Sequence, residues 1–289
     1  MSLRPPWSAF RAVLEERGFR PSRRLGQNFL LDENLVRAIV RDSRVGPGDF
    51  VLEVGAGCGF LSLHLLEAGV ELLAVEIDDR LLPIAERLVA GQGRARFLLA
   101  DALAGKHELC PAVEEALPSG GDWHLVSNLP YSIAGPLLAL LASRACPPAS
   151  MTVLVQREVA ERIAARPGTP EWGPLSIRLQ VRYASAILRV VSPDLFWPRP
   201  KIESAVVRLE RSLPAWPADV LRRLDDLVGE LFRSRRQTLG RVVSRWARDR
   251  EEGLGLLRKA GLDPKIRAEK LDLAAWRRLV EASPALRPD

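Results

Sequence analysis

The succession of short apolar runs along the chain is the feature that most constrains its fold. Five runs follow one another between residues 50 and 156, and each is separated from the next by enough residues for a crossover connection. They are FVLEV (50–54), ELLAVE (71–76), ARFLLA (95–100), WHLVS (123–127) and MTVLVQ (151–156). Such runs are typical of parallel strands buried on both faces. With two further strand-like segments at 186–191 and 203–210, they predict an open, doubly wound α/β sheet.

Helical patterns flank this region. Residues 32–43 place Leu35, Ile39 and Val40 on one face behind a capping Asp32, which predicts a helix. After the proline-containing segment SLPAWPAD (212–219), the pattern is helical to the end of the chain. We therefore expect a large domain over residues 1–212 and a small, all-helical domain over 213–289.

Several classes of protein are excluded by what the sequence lacks. No window approaches the roughly 18 uninterrupted apolar residues of a membrane helix, and residues 1–24 have no apolar centre of a signal peptide. We expect a soluble, cytoplasmic protein without a membrane partner. The three cysteines and three histidines are widely spaced, so we expect neither a disulfide framework nor a metal centre.

The excess of basic over acidic residues lies at the two ends of the chain. Residues 1–24 carry 6 basic and 2 acidic side chains, residues 25–195 carry 15 and 20, and residues 196–289 carry 21 and 14. Of the 42 cations, 37 are arginine, whose planar fork pairs well with phosphate. This distribution favours a nucleic-acid partner. Genome base composition or heat adaptation would also enrich arginine, and solvated helix faces are often charged.

A glycine-rich turn follows the first run of the sheet. The segment VLEVGAGCGFLS (51–62) places Gly55, Gly57 and Gly59 between a strand and a helix, where open sheets bind cofactors. The spacing differs from that of dinucleotide-binding loops, and Glu53 beside it would repel a pyrophosphate. The ligand is therefore expected to be cationic or zwitterionic. A tight turn without a ligand is the alternative for the loop alone.

Two further carboxylates end the next predicted strands. Glu76 can accept the hydroxyl groups of a ribose, and Asp101 can accept an adenine amino group, although an aspartate at such a position is more often a helix cap. Together these residues predict a nucleoside site with a negatively charged entrance. S-adenosylmethionine, with its ammonium and sulfonium groups, suits such a site better than NAD.

The tetrapeptide NLPY (128–131) follows the fourth run, beside the expected methyl group. The Asn128 amide oxygen and the carbonyl before Pro130 can accept the two hydrogens of an adenine amine and so free its lone pair for attack. Tyr131 can stack on a base taken out of its RNA stack. No general base is required, because the amine becomes a strong acid only after attack. An Asn-Leu-Pro turn with a buried tyrosine is the structural alternative.

These motifs resemble those of the KsgA-type small-subunit ribosomal RNA adenine dimethyltransferases over nearly the whole chain. The matching segments are LGQNFLLD (25–32), EVGAGCGFLS (53–62), VEID (75–78), DAL (101–103), NLPY, FWPRPKIESAVVRL (196–209), FRSRRQTL (232–239) and GLDPKIRAEKL (261–271). The resemblance implies a class I, Rossmann-like S-adenosylmethionine-dependent methyltransferase domain. Its expected activity is methylation of two adjacent adenosines in the 3′-terminal hairpin loop of 16S RNA, by a monomer acting on the assembling 30S subunit.

The resemblance also implies roles for individual residues. Expected cofactor contacts are Gln27, Asn28, Leu30, Gly55, Gly57, Glu76, Ile77, Asp101, Ala102 and Asn128. Expected residues at the reacting amine are Asn128, Leu129, Pro130, Tyr131 and Phe196, with Tyr131 and Phe196 sandwiching the adenine. Expected RNA contacts are Arg23, Arg24, Lys201, Arg233, Arg235 and Arg236. For Phe196, simple core packing is the alternative.

Other functions on the same fold stay open from the sequence. One is a related methylase of large-subunit RNA or of DNA, and another is a ribosome-assembly or transcription factor without required catalysis. The stretch 104–121 is longer than the resemblance leads us to expect, and we interpret it as a surface elaboration.

Overall fold

The computed structural model describes residues 7–16, 18–22, 25–30, 32–105, 108–213, 215–247 and 249–283. Within them the chain divides into two compact units. The first contains residues 1–160 and 185–211, and the second contains residues 161–184 and 212–289.

The strands of the described residues are β1 (Phe29–Leu30), β2 (Phe50–Val54), β3 (Glu71–Glu76), β4 (Arg94–Leu99), β5 (His124–Asn128), β6 (Ser150–Gln156), β7 (Tyr183–Val191), β8 (Phe196–Trp197) and β9 (Ser204–Arg211). The helices up to residue 180 are α1 (Trp7–Glu16), α2 (Glu33–Ser43), α3 (Phe60–Glu67), α4 (Leu82–Val89), α5 (Pro111–Ala116), α6 (Ala134–Ala142), α7 (Arg157–Ile163) and α8 (Pro174–Gln180). The later helices are α9 (Ala218–Arg233), α10 (Leu239–Trp246), α11 (Arg250–Lys259) and α12 (Leu273–Ala282). Short 3₁₀ turns cover Pro193–Leu195 and Ala268–Lys270.

The main sheet of the described chain has seven strands in the order β4-β3-β2-β5-β6-β9-β7. Strands β2 to β6 pair in parallel, and β9 runs antiparallel to β6. The chain passes outward from β2 to β3 and β4 and then returns to place β5 on the other side of β2. This reversal opens a crevice at the carboxyl ends of β2 and β5, which is where open sheets bind ligands.

Apolar burial explains the predicted runs that form β2, β3, β5 and β6. The run at 95–100 was expected to be buried on both faces, but it lies in the edge strand β4, whose residues are all exposed or half-buried. Val51 of β2, Val126 of β5 and Leu154 of β6 are fully buried in the core of the first unit, together with Leu65 of α3. A strand covered on both faces by helices must be apolar at consecutive positions, which accounts for the continuous runs. Helix α2 begins as predicted, because the Asp32 carboxylate accepts the Leu35 N–H at 2.6 Å.

The second unit is built from α9 to α12 together with α8 and its flanking residues. Trp172 and Ile177 of this earlier segment are buried in the same core as Leu224 and Trp276. Within this unit Asp225 of α9 also accepts a hydrogen bond from Arg182 at 2.7 Å. The expected boundary at residue 212 lies close to the second entry of the chain into this unit, but residues 161–184 belong to it as well. Their contacts are made across about 50 residues of sequence, so local composition does not reveal them.

The stretch 104–121 lies largely at the surface, as expected for a surface elaboration, because its described residues other than Val113 and Leu117 are exposed or half-buried. It contains α5, the crossover helix between β4 and β5. Val113 in this helix and Leu117 at its end are buried. The segment therefore also contributes two side chains to the core.

Candidate active site

A cavity in the first unit lies at the carboxyl ends of β2, β3, β4 and β5. It brings together most of the residues expected at the cofactor and at the reacting amine. Those that line it are Gln27, Asn28, Leu30, Gly55, Gly57, Glu76, Ile77, Asp101, Ala102, Asn128, Leu129, Pro130 and Tyr131. These positions are up to 104 residues apart in sequence. The parallel sheet brings together those that follow β2 to β5, because these strands all end at one edge. Gln27, Asn28 and Leu30 come from the segment that contains β1.

The glycine turn forms one wall of the cavity and is closely packed. Gly55 and Gly57 have φ values of 78° and 60°, a left-handed backbone that side chains disfavour. A Cβ on Gly55 would lie 3.0 Å from Cδ of Pro130, and one on Gly57 would lie 3.1 Å from Cε1 of Phe29. Glycine is therefore required here both by conformation and by the approach of the neighbouring segments.

Glu76 at the end of β3 is held by the backbone around it. Its Oε2 accepts the N–H of Gly57 at 2.7 Å, and its Oε1 accepts those of Ile77 and Asp78 at 2.9 Å each. Burial raises the pKa of this carboxyl, and the three backbone hydrogen bonds oppose that rise. Because a carboxylate has about four acceptor positions, acceptor capacity remains for a ligand hydroxyl.

Glu53, before the glycine turn, is buried with 2 % of its surface exposed. Ser62 of α3 donates its hydroxyl to Oε2 of Glu53 at 2.5 Å. Burial raises the pKa of the Glu53 carboxyl to about 8, against the lowering effect of the Ser62 hydrogen bond and with a smaller contribution from the nearby Glu76. The carboxyl is therefore largely protonated at neutral pH without a ligand, whereas the sequence argument treated it as a fixed negative charge.

Asp101, after β4, stabilises a turn in the backbone, as aspartate commonly does at the end of a strand. Its Oδ1 accepts the N–H of Leu103 at 3.0 Å, which forms a turn. The side chain is exposed at the wall of the cavity. Its position is compatible with both the turn and the predicted ligand contact.

The segment before β1 is connected to the loop after β3 through Gln27. The Gln27 amide donates to Oδ2 of Asp78 at 2.8 Å and accepts the Ser22 N–H at 2.7 Å. Asp78 also accepts two hydrogen bonds from the Arg80 guanidinium, at 2.6 and 2.9 Å. The Arg80 and Gln27 hydrogen bonds hold the pKa of the Asp78 carboxyl at about 2, although its burial acts in the opposite direction.

Asp78 is a residue whose importance the sequence did not reveal. It is 4 % exposed and lies 51 positions from its partner Gln27. Arg80 in turn stacks over the ring of Phe19, with the guanidinium carbon 4.8 Å from the ring centre. The loop after β3 thus holds the N-terminal segment against the cavity. The only local signal was an aspartate two residues after Glu76 in the VEID motif.

The NLPY turn is fixed from two sides. The Asn128 amide nitrogen donates to the carbonyl of Asn28 at 3.1 Å, so the amide oxygen remains as the acceptor end of this side chain. The Leu129 N–H donates to the Leu154 carbonyl at 3.1 Å, which anchors the turn to β6. These two hydrogen bonds fix the turn to the segment before β1 and to β6.

Tyr131 completes the turn and makes a contact that the sequence did not indicate. Its phenol oxygen lies 2.7 Å from Oγ of Ser204, the first residue of β9. Ser204 is fully buried. Burial raises the pKa of the Tyr131 phenol, with the Ser204 hydrogen bond opposing it.

Phe196 lies in a different environment from the one implied by a base sandwich. It is 3 % exposed and packs in the core of the first unit. Its strand, β8, pairs antiparallel with β1, which matches Leu30 with Phe196 and Phe29 with Trp197. Phe196 is not among the residues that line the described cavity. Core packing, the alternative considered for it, describes its observed position.

Six cations were expected to contact RNA. Arg23 and Arg24 lie outside the described residues. Lys201, Arg233, Arg235 and Arg236 are exposed, and Arg233 forms an ion pair with Glu230.

Among the described residues, no helix has the length and apolar character that crossing a membrane requires.

The sequence family is decided by a match over most of the chain. The model of the family "Ribosomal RNA adenine dimethylase" matches residues 18–283. The chain belongs to the ribosomal RNA adenine dimethylase family. The chain is 41% identical over 281 residues to a ribosomal RNA small subunit methyltransferase A of Nocardia farcinica, covering 93% of this chain and 92% of the relative. It is accordingly a methyltransferase enzyme.

Two solved structures of methyltransferases share the fold of this chain. A dimethyladenosine transferase from Plasmodium falciparum superposes with a TM-score of 0.72 at 21% identity, covering 87% of this chain and 95% of that one. The 23S rRNA methyltransferase ErmE superposes with a TM-score of 0.67 at 24% identity, covering 88% and 98%. These likenesses show the Rossmann-like α/β fold of methyltransferases. The apolar runs predicted its open α/β sheet, and the resemblance implied the methyltransferase domain.

Proposed function

We propose that the protein dimethylates two adjacent adenosines in the 3′-terminal hairpin loop of 16S RNA with S-adenosylmethionine. The observation that carries this proposal is the Asn128 amide, whose nitrogen donates to the Asn28 carbonyl and whose oxygen is thereby left to accept from an amine. It lies on the wall of a cavity that also contains the glycine turn and Glu76. A small-subunit RNA substrate is favoured by the relative from Nocardia farcinica, which is named a small subunit methyltransferase.

The cavity residues suit S-adenosylmethionine. The glycine turn lacks the Cβ atoms that would fill the space beside Pro130 and Phe29. Glu76 retains acceptor capacity for a ribose hydroxyl, and Asp101 lies at the same wall for the adenine amino group. Glu53 would gain a favourable charge interaction with a cationic ligand, which would lower the pKa of its carboxyl. When bound, S-adenosylmethionine supplies an electrophilic methyl group on its sulfonium.

The chemistry assigned to the chain is positioning and hydrogen bonding. The Asn128 oxygen and the Leu129 carbonyl would accept the two hydrogens of the adenine amine, which localises the lone pair on its nitrogen. Tyr131 would stack on the base after it leaves the RNA stack. After attack the amine is a strong acid, and its proton can pass to solvent without a dedicated base. Transfer thus depends on orientation, which the fixed NLPY turn provides.

The setting of the reaction is part of the same proposal. We infer a cytoplasmic monomer that acts on the assembling 30S subunit without a metal. Exposed cations, including Lys201, Arg235 and Arg236, would contact phosphates in this assembly, together with Arg23, Arg24 and Arg233. Phosphate contacts of this kind make RNA affinity fall steeply with salt.

The test is methylation of small-subunit RNA by the purified protein and its Asn128→Ala variant. Mass spectrometry of digested RNA should find dimethyladenosine at the two adjacent hairpin positions with the wild-type protein, and none with the variant. Binding to the subunit should be retained, because the phosphate contacts lie elsewhere. Asn34→Ala, an exposed asparagine of α2, serves as the matched control and should methylate normally.

Two results would contradict the proposal. Methylation of 23S RNA in place of 16S RNA by the wild-type protein would assign a different substrate. Normal dimethyladenosine formation by Asn128→Ala would remove the amide from the mechanism while leaving the substrate assignment intact.

A further inference from the structure

The hydroxyl of Ser204 is buried at a position where only a specific partner can satisfy it. None of the residue is exposed to solvent. A buried hydroxyl without a hydrogen bond is costly, so its partner is informative. That partner is the phenol of Tyr131, and the 2.7 Å separation lies at the usual length for two hydroxyl groups.

The backbone of Ser204 is held firmly in the sheet. β9 pairs with β6 over seven consecutive positions, from Ser150 with Glu210 to Gln156 with Ser204. The pairing continues one step further, because the Arg157 N–H donates to the Glu203 carbonyl at 3.0 Å. The Ser204 hydroxyl is therefore presented from a rigid element.

Tyr131 is anchored to this same region at its other end. The turn that carries it is fixed to β6 through the hydrogen bond from Leu129 to Leu154. With the backbone fixed at one end and the phenol oxygen at the other, the ring cannot swing about its Cα–Cβ bond without losing the contact to Ser204. The Tyr131 phenol is neutral at physiological pH, because burial raises its pKa further above the ordinary value.

We propose that Ser204 is a positioning residue that holds the Tyr131 ring in the orientation on which the target base stacks. Tyr131 lines the cavity, whereas Ser204 does not, so Ser204 acts through the tyrosine. This inference rests on the proposed function, in which Tyr131 contacts the adenine. In this inference Ser204, the serine of the FWPRPKIESAVV segment, orients Tyr131 in addition to forming part of β9.

The experiment compares Ser204→Ala, Tyr131→Phe and the double variant in single-turnover methylation of small-subunit RNA. Each single change removes the same neutral hydrogen bond, so the rate at saturating RNA should fall about fivefold in each. The double variant should be no slower than either single variant, because the bond can be lost only once. The Kd for S-adenosylmethionine should not change.

A purely structural role for Ser204 makes a different prediction. It would lower stability and the folded fraction while leaving the rate per folded molecule unchanged. Thr152→Val, which removes a buried hydroxyl of β6 that has no hydrogen-bond partner in the described chain, controls for this. Wild-type turnover by Ser204→Ala, or additive losses, would overturn the proposal. If Ser204→Ala does not fold, wild-type turnover by Tyr131→Phe has the same consequence.

A spectroscopic measurement separates this inference from the substrate assignment. The protein contains two tyrosines, so labelling with ¹³C at Cζ gives two signals, which Tyr131→Phe assigns. Replacing Ser204 with alanine should shift the Tyr131 signal and leave that of Tyr183 in place. An unchanged Tyr131 signal would refute the anchoring bond. If the Tyr131 signal shifts in Ser204→Ala but the wild-type protein does not methylate small-subunit RNA, the anchoring bond stands and the proposed function is refuted.

Discussion

Replacing Glu53 with glutamine should change how the free energy of unfolding depends on pH. Burial is the largest influence on this carboxyl and raises its pKa from 4.5 to about 8. The folded protein therefore holds the proton to a higher pH than the unfolded chain does. The resulting stabilisation is fully present below pH 4.5 and is lost as the pH rises through 8.

The magnitude follows from these two pKa values. Linkage gives a contribution of about 3 kcal/mol at pH 5.5, about 1 kcal/mol at pH 7 and close to zero at pH 8.5. Glutamine has nearly the same size, can accept the hydrogen bond from Ser62, and does not titrate. The stability of Glu53→Gln relative to wild type should therefore rise by about 3 kcal/mol between pH 5.5 and 8.5.

Urea unfolding at a series of pH values, followed by circular dichroism, measures this difference directly. Glu86→Gln, at an exposed position of α4, is the matched control for the loss of a carboxylate. Other titrating groups are common to all three proteins and cancel in the comparison. If the curves of Glu53→Gln and wild type also run parallel, the carboxyl is not protonated in the folded state and the reasoning is wrong.

Two further predictions concern the walls of the cavity. Gly55→Ala should reduce methylation about a hundredfold, because the new Cβ meets Pro130 at 3.0 Å and displaces the NLPY turn. Gly48→Ala is the control, because Gly48 has a similar φ of 85° but open space around it, and this variant should retain activity. Equal losses of activity in both variants would exclude the contact with Pro130 as the cause. Asp78→Asn should raise the Kd for S-adenosylmethionine about tenfold in calorimetric titration, because the contact that holds Gln27 loses its charge, and an unchanged Kd would exclude a role for Asp78 in the site.

Local sequence was sufficient to predict strands β2 to β6 and helix α2, but not the short strands β1 and β8. The predicted ranges 50–54 and 71–76 coincide with β2 and β3, and the capping Asp32 begins α2 as expected. The glycine turn and NLPY were recognised because their residue types are unusual at the end of a strand. Burial on both faces and backbone conformation leave a pattern within a few neighbouring residues.

Other features depend on residues that are distant in sequence. Asp78 meets Gln27 across 51 positions, and Tyr131 meets Ser204 across 73, so neither contact leaves a local pattern. The membership of residues 161–184 in the second unit has the same origin. Phe196 is a further residue whose surroundings the sequence did not predict. Its motif implied a base contact, whereas the side chain is buried in the core.

The sequence by itself determined the order of the elements, the parallel sheet and the residue types at its carboxyl edge, because periodicity, turn conformation and motif spacing act over short distances. Only the tertiary structure decided the protonation of Glu53, the burial of Phe196 and the anchors of the NLPY turn. The physical reason is that desolvation and long-range hydrogen bonds depend on what the folded chain packs around each group.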